Sequence, residues 1–191
     1  MPLRHDRIPD DDYPTPLYCV RRLLEALPLP GGHWLEPSAG DGSIIRAVNE
    51  LRADVQWAAV EKRLSCMARL AELPGTRHCI DDFLGWNSIS ARATWPQHFD
   101  VALGNPPYSW AQEFVERCLG LADHTVMLLR LDFMASAKRH GWLLRNPFDL
   151  YVLSNRPQFR FDGSDKTEYG WFHWPGTGHL RLLNLTPSGA R

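Results

Sequence analysis

The sequence predicts an α/β domain built on a mostly parallel sheet with helices on both faces. Short apolar runs alternate with stretches whose apolar residues recur at helical spacing. Glycine and proline crowd the joints between them, with 15 prolines in 191 residues. Near the chain's end two strand-like runs follow one another without a helix between, which predicts a closing pair antiparallel to the rest.

The elements follow in order. Residues 1–12 are polar and predicted flexible. LYCVRRLLEAL (17–27) places Leu17, Val20, Leu23, Leu24 and Leu27 on one helical face, begun by Thr15 and Pro16 and ended by Pro28, Pro30, Gly31 and Gly32. HWLE (33–36) is a buried strand, PSAGDG a glycine-bearing turn, and SIIRAVNELR (43–52) a helix. QWAAVE (56–61), KRLSCMARLAEL (62–73) and RHCID (77–81) continue as strand, helix, strand. After a connection rich in Trp and Ser come FDVAL (99–103), the helix SWAQEFVERCLGLA (109–122) and the strand HTVMLLRL (124–131). ASAKRHGWLLR (135–145) reads as helix, LYVLS (150–154) as strand, and YGWFHW (169–174) with HLRLLNL (179–185) as the closing pair. One domain over residues 13–186 with a flexible tail at 187–191 fits this length.

Composition narrows the function classes. No apolar run approaches bilayer-spanning length and the first residues lack a signal-peptide core, so a cytoplasmic, membrane-free protein is expected. Cys19, Cys66, Cys79 and Cys118 are scattered, as free thiols in a reducing compartment would be, and no His/Cys spacing suits zinc, so no metal is expected. Net charge is −1. Residues 130–160, however, carry Arg130, Lys138, Arg139, Arg145, Arg156 and Arg160 against Asp132 and Asp149 alone, a patch able to hold phosphates or to serve as a solvated surface.

Ligands of open α/β sheets bind beyond the carboxyl ends of the strands, where strand order reverses. The first predicted strand ends in LEPSAGDGS, whose Gly40 and Gly42 permit a tight turn. Ile45 stands where a phosphate-binding G-x-G-x-x-G would need its third glycine, and Glu36 and Asp41 repel a pyrophosphate. They attract a cation instead. Glu61 ends the second strand, 25 positions after Glu36, where a ribose-binding acid belongs. Asp82 and Phe83 close the third strand with an acceptor for an adenine amine and a ring to cover it. A positively charged nucleoside without phosphates fits these strand ends, and S-adenosylmethionine is one.

Asn105-Pro106-Pro107-Tyr108 follows the fourth strand. An aromatic exocyclic amine is a poor nucleophile because its lone pair is delocalised. Two acceptors aimed at its N–H groups draw it towards tetrahedral geometry and stabilise the charge that grows as it is alkylated. The Asn105 side-chain oxygen and the Pro106 carbonyl are those acceptors, with consecutive prolines holding the backbone extended. Tyr108 offers a flat face to an unstacked base. A plain proline turn with Tyr108 packed at a helix start accounts for the same residues without chemistry.

LEPSAGDGS, AVEKR, DDFL and GNPPY, in that order, resemble the successive motifs of class I S-adenosylmethionine-dependent N6-adenine DNA methyltransferases. YPTPLYCVRRLLEAL resembles that family's amino-terminal cofactor helix, and the tail from RPQF to EYGWFHW is similar to small members carried by phages and prophages. The resemblance covers residues 13–131. It implies a Rossmann-like fold with a seven-stranded sheet and an antiparallel last strand, S-adenosylmethionine as cofactor, and a cytoplasmic site in a bacterial or phage-infected cell. It maps Thr15, Glu36, Ala39, Gly40, Glu61, Asp82 and Phe83 to cofactor contacts and Asn105, Pro106, Pro107 and Tyr108 to the catalytic motif. Asp41 joins the cofactor set by its charge, and Asn105 is expected to border the cofactor too.

Sequence-specific DNA members carry a sizeable target-recognition region, whereas some 60 residues follow the fifth strand here. The segment RPQFRFDGSDKTEYG is the local candidate for substrate contact, with Arg156 and Arg160 for phosphates and Phe159 for stacking. An ordinary surface loop with a core phenylalanine is the other reading. Adenine in DNA is the leading acceptor. Adenine in RNA is served by the same clamp, and so is a protein glutamine amide, although EPSAGDG lacks that class's D-x-G-x-G motif and helical leader.

Overall fold

The computed structural model describes residues 14–85, 95–154, 157 and 167–183. Its strands are β1 (Gly32–Glu36), β2 (Val55–Glu61), β3 (Thr76–Ile80), β4 (Phe99–Gly104), β5 (Ala122–Arg130), β6 (Asp149–Leu153), β7 (Tyr169–Trp174) and β8 (Leu180–Leu183). Helices among the described residues are α1 (Leu17–Ala26), α2 (Ser43–Asn49), α3 (Met67–Ala71), α4 (Ala111–Leu119) and α5 (His140–Arg145). The strands form one sheet in the order β3-β2-β1-β4-β5-β7-β6-β8. β7 runs antiparallel to both of its neighbours, and every other pairing is parallel. The α/β class, the mostly parallel sheet and the Rossmann-like order are those the sequence predicts.

Alternation along the strands sends side chains to two cores. Trp34, Val101, Leu103, Val126, Leu128 and Trp171 pack on the face covered by α1, α2 and α3. Leu35, Ala102, Met127, Leu129 and Phe172 pack on the other, with Phe114, Val115 and Cys118 of α4 and Trp142 and Leu143 of α5. A strand buried on both faces cannot alternate apolar with polar, which is why these runs read as continuous apolar stretches. The fully buried Trp171 donates its indole N–H to the Cys19 carbonyl at 3.3 Å, tying α1 to β7. The four cysteines are free thiols. Cys19, Cys66 and Cys118 are buried and Cys79 is partly so, with burial, and secondarily Asp81, pushing the Cys79 thiol up to about 11.

The closing strands differ from the expected pair. They form no hairpin: β6 lies between them, and β8 is an eighth strand, parallel to β6 at the sheet edge. Asp149, at the start of β6, explains the crossing. One of its carboxylate oxygens accepts the Thr177 N–H at 2.7 Å, the His179 N–H at 3.0 Å and the Thr177 hydroxyl at 3.3 Å. Desolvation pushes this carboxyl up, but the hydrogen bonds outweigh it and the net shift is downward. The chain leaving β7 is thereby drawn under the foot of β6 to its far side.

Two predicted helices begin well after the start that their apolar spacing suggests. The 62–73 stretch begins extended at Arg63, because Glu61 accepts both the Arg63 N–H and its Nε–H, and it becomes helical through a 3-10 turn at Leu64–Cys66. The 135–145 stretch is α-helical only from His140. Before it, the Arg139 guanidinium reaches back to the Phe133 carbonyl at 2.8 Å and lies over that ring.

Candidate active site

The strand order reverses between β1 and β4, whose partners run Trp34↔Val101 and Leu35↔Ala102. Their ends separate into a cavity of about 350 Å³. Gly104 makes the meeting possible: a Cβ there would lie 3.1 Å from the Pro37 ring. The turn after β1 folds back onto β2, with Ala39 N–H on the Val60 carbonyl at 2.9 Å and Gly40 N–H on Glu61 Oε2 at 2.7 Å. Gly40 and Gly42 hold φ of 56° and 81°, a region costly for side chains, and a Cβ on Gly42 would also strike Leu73.

Thr15, Glu36, Ala39, Gly40, Asp41, Glu61, Asp82, Phe83, Asn105 and Pro107 all line this one cavity, brought from the approach to α1 and the ends of four strands. The remaining motif residues stand beside it. Pro106 is buried, and Tyr108 packs its ring 5.6 Å from that of Tyr169, with the Arg130 guanidinium 4.7 Å above it. The flat face that the sequence offers to a base is thus covered by an arginine, and a base stacking there would displace it. Phe83 borders the cavity but is only 2% exposed, packed 5.2 Å from Phe114 with Arg117 over its ring. Arg156, Phe159 and Arg160 lie outside the described residues. Their segment leaves from the end of β6 and returns at the start of β7, which lie on the same rim as the ends of β1 and β4.

The cavity is acidic. Glu36, Asp41, Glu61, Asp81 and Asp82 line it against Lys62 and Arg63, and Arg63 Nε already pairs with Glu61 at 2.8 Å. Asp41 pairs with Arg46 at 2.9 Å. Glu36 is the costly member, 2% exposed, with Oε2 buried and lacking a hydrogen-bond partner among the described residues. Burial first, then Asp41 and Glu61, push its pKa well above the ordinary range, with Arg46 and the Ile45 N–H opposing. A buried carboxyl with one orphaned oxygen among like charges suits a cationic ligand. Asp82 spends one oxygen on the Leu84 N–H at 3.0 Å.

Asn105 is gripped at both ends. Its backbone carbonyl accepts the Ser38 hydroxyl at 3.3 Å, and its side-chain NH2 donates to the Thr15 hydroxyl at 3.2 Å. The Pro107 carbonyl accepts the Trp110 N–H at 2.9 Å, whereas the Pro106 carbonyl carries no such bond among the described residues. Sequence reasoning missed Ser38, Ser43, Arg63 and Trp110, all of which line the cavity. The two serines flank the glycine turn in PSAGDGS, which was their only signal. Trp110, 54% exposed, showed itself only as an aromatic just after the NPPY corner.

No family model and no curated protein matches the sequence. Solved structures do match in fold. A protein from Pyrococcus horikoshii whose assignment as an RNA methyltransferase is itself inferred superposes with a TM-score of 0.64 at 14% identity, over 90% of each chain. An Agrobacterium tumefaciens protein with an inferred O-methyltransferase assignment gives 0.59 at 15% identity, over 92% of this chain and 89% of that one. The fold is that of the Rossmann-like methyltransferases. Precorrin-6y C5,15-methyltransferase from Geobacter metallireducens gives 0.52 at 14% identity, over 82% and 85%. Their names point to unlike acceptors. Among the described residues no helix is long and apolar enough to cross a membrane.

Proposed function

We propose that this protein is an S-adenosylmethionine-dependent methyltransferase acting on the exocyclic N6 amine of adenine in DNA, within a single domain over residues 13–186. The observation that carries this reading is Asn105, fixed at both ends at the wall of an acidic cavity where the strand order reverses. The cavity residues fit the cofactor by charge and by Glu36 Oε2, buried without a hydrogen-bond partner among the described residues. Glu36 and Asp41 would hold its cationic end, Glu61 its ribose, and Asp82 and Phe83 its adenine. Bound there, S-adenosylmethionine supplies a methyl group activated by its sulfonium.

The chain's own residues do the rest. The Asn105 side-chain oxygen and the Pro106 carbonyl accept the two N–H groups of the incoming amine, holding its lone pair out of the ring and in line for transfer. As nitrogen gains positive charge, both acceptors bind it more strongly, so the clamp favours the transition state over the ground state. Tyr108 supports the flipped base once Arg130 moves aside. Arg130 ends β5 and Lys138 and Arg139 come soon after it, and Arg156 and Arg160 add charge for phosphates.

Incubation with labelled cofactor and separate DNA, RNA and glutamine-containing protein acceptors tests the reading. Label in DNA at adenine N6 is expected. Label in RNA alone or in protein alone would move the substrate to that class, and label in none would remove the activity.

A further inference from the structure

We infer that Arg130 is a specificity-determining residue, a latch on the base site that a substrate phosphate releases, so that the site takes adenine from a phosphate-bearing strand and turns away the free nucleoside. This rests on the reading of Tyr108 as the base platform. Alternation along β5 puts Arg130 on the same face as Val126 and Leu128, and its cross-strand partner Tyr169 stands on that face too. Met127 lies level with Gly104, so Arg130 reaches three residues further, alongside the NPPY corner. There its guanidinium lies 4.7 Å over the Tyr108 ring. Tyr108 packs against the core cluster that holds the buried Tyr169, whose ring is 5.6 Å away. The tyrosine is thus held by the core and covered by an arginine that is itself only half-buried.

A guanidinium is flat, as a base is, and stacks on aromatic rings in the same way. The two therefore compete for one face. Cation–π attraction and base stacking are of the same order, so a base that displaces the arginine gains little on balance. The further contacts of Arg130 add to its hold. A phosphate changes the balance, because it offers the guanidinium charge-assisted hydrogen bonds in place of the ring. Only the side chain has to move: the Arg130 backbone is paired with Tyr169, and the Leu131 N–H donates to the Glu168 carbonyl at 3.0 Å. A nucleotide supplies both the ring that takes the face and the anion that draws the arginine off it. A nucleoside supplies the first alone.

The test uses the full chain with its cofactor cavity saturated by S-adenosylhomocysteine, and follows the fluorescence of two probes, 2-aminopurine 2′-deoxyriboside and its 3′,5′-bisphosphate. Stacking quenches this base, which has no 6-amine, so the measurement is independent of the clamp. Wild type should bind the bisphosphate more tightly. Arg130→Ala should bind the nucleoside roughly two- to thirtyfold more tightly than wild type, the worth of a cation–π contact, and the bisphosphate no more tightly. Arg130→Lys, which keeps the charge and a long side chain, should retain a preference for the bisphosphate. The inference is overturned if wild type shows no such preference, or if Arg130→Ala leaves nucleoside affinity unchanged, which would make Arg130 a phosphate contact alone. Weakening of both probes alike in Arg130→Ala would make its role structural and overturn it too. It is overturned equally if Arg130→Lys loses the preference as fully as Arg130→Ala, or if neither probe binds any of the three proteins. Failure of the proposed function reads differently: label from the cofactor would reach no acceptor, while the two probes still decide the latch.

Discussion

Replacing Glu36 with glutamine separates two consequences of one buried carboxyl. In the free protein its pKa lies well above 4.5, held there by burial and by the Asp41 and Glu61 carboxylates. An acid with a raised folded-state pKa takes up a proton on folding. Its contribution is intact below the unfolded value, near 4.5, and is lost as pH rises through the folded one. Glutamine has the same outline and no charge to desolvate. It thereby escapes a cost of about 1.4 kcal/mol for each unit by which the folded-state pKa is raised, and about 1 kcal/mol moves Tm by roughly 2–4 °C in a chain of this size. Glu36→Gln should therefore raise Tm by at least about 3 °C at pH 8 and change it little at pH 4.

The ligand reverses the sign. A cation beside Glu36 favours the ionised form, so cofactor binding should expel the proton and strengthen as pH rises towards the folded pKa. Glutamine forgoes a charge-assisted hydrogen bond worth about 1.5–3 kcal/mol, which weakens binding by roughly ten- to a hundredfold. Calorimetric titration in buffers of different ionisation heat counts the released proton, and melts at the two pH values give the stability arm. A variant that melts lower at pH 8, or that binds S-adenosylmethionine with wild-type affinity and the same proton release, would refute the assignment of Glu36 to the cationic end.

The other expectations concern the clamp and the foot of the sheet. Asn105→Ala should lower kcat roughly 100- to 1,000-fold, as loss of one transition-state hydrogen bond does, while cofactor titration stays nearly unchanged; a parallel loss of cofactor affinity would mean the clamp is misplaced. Tyr108→Ala should weaken acceptor binding by about 1–3 kcal/mol and Tyr108→Phe far less, with equal damage from both assigning the role to the hydroxyl. His173 Nε2 lies 3.0 Å from His124 Nδ1, and burial first, then His124, push its pKa down to about 4 against the opposing Asp149. Its stabilising contribution is complete above about 6.5 and falls away towards pH 4. Denaturant melts should show His173→Gln flattening that acid limb by up to about 3 kcal/mol, and an unchanged slope would place the acid sensitivity elsewhere.

Much of this fold was legible because its signals are local. Strands buried on both faces announce themselves as apolar runs, and Gly104-Asn105-Pro106-Pro107 marks the end of β4 whatever surrounds it. The missed features depend on partners distant in sequence. Lys62 and Arg63 have helix-forming side chains, yet Glu61 captures Arg63 and delays the helix. The path of the last strand is set by Asp149, some thirty residues before the segment it steers. Nothing near Thr15 advertises Asn105, because that contact exists only once α1 has docked on the sheet. The Arg130 guanidinium over Tyr108 is likewise a product of β5 and β4 lying side by side.

The register of β1 against β4 sets how the two halves of the proposed site lie. Leu35 pairs with Ala102, so Glu36 stands level with Leu103, and Asn105 projects two residues further along the neighbouring strand. Adjacent strands lie about 4.8 Å apart. On the proposed reading, the acid that would hold the cationic end and the amide that would grip the amine stand about a strand spacing apart sideways and two residues apart lengthwise, on one wall of the same cavity. No hinge or second domain is needed to bring them together. A Cβ on Gly104 would lie 3.1 Å from the Pro37 ring, so a side chain there would need Pro37 to give by a few tenths of an ångström. On the proposed reading, the glycine before the NPPY corner keeps the two halves of the site close, while the prolines after it serve direction.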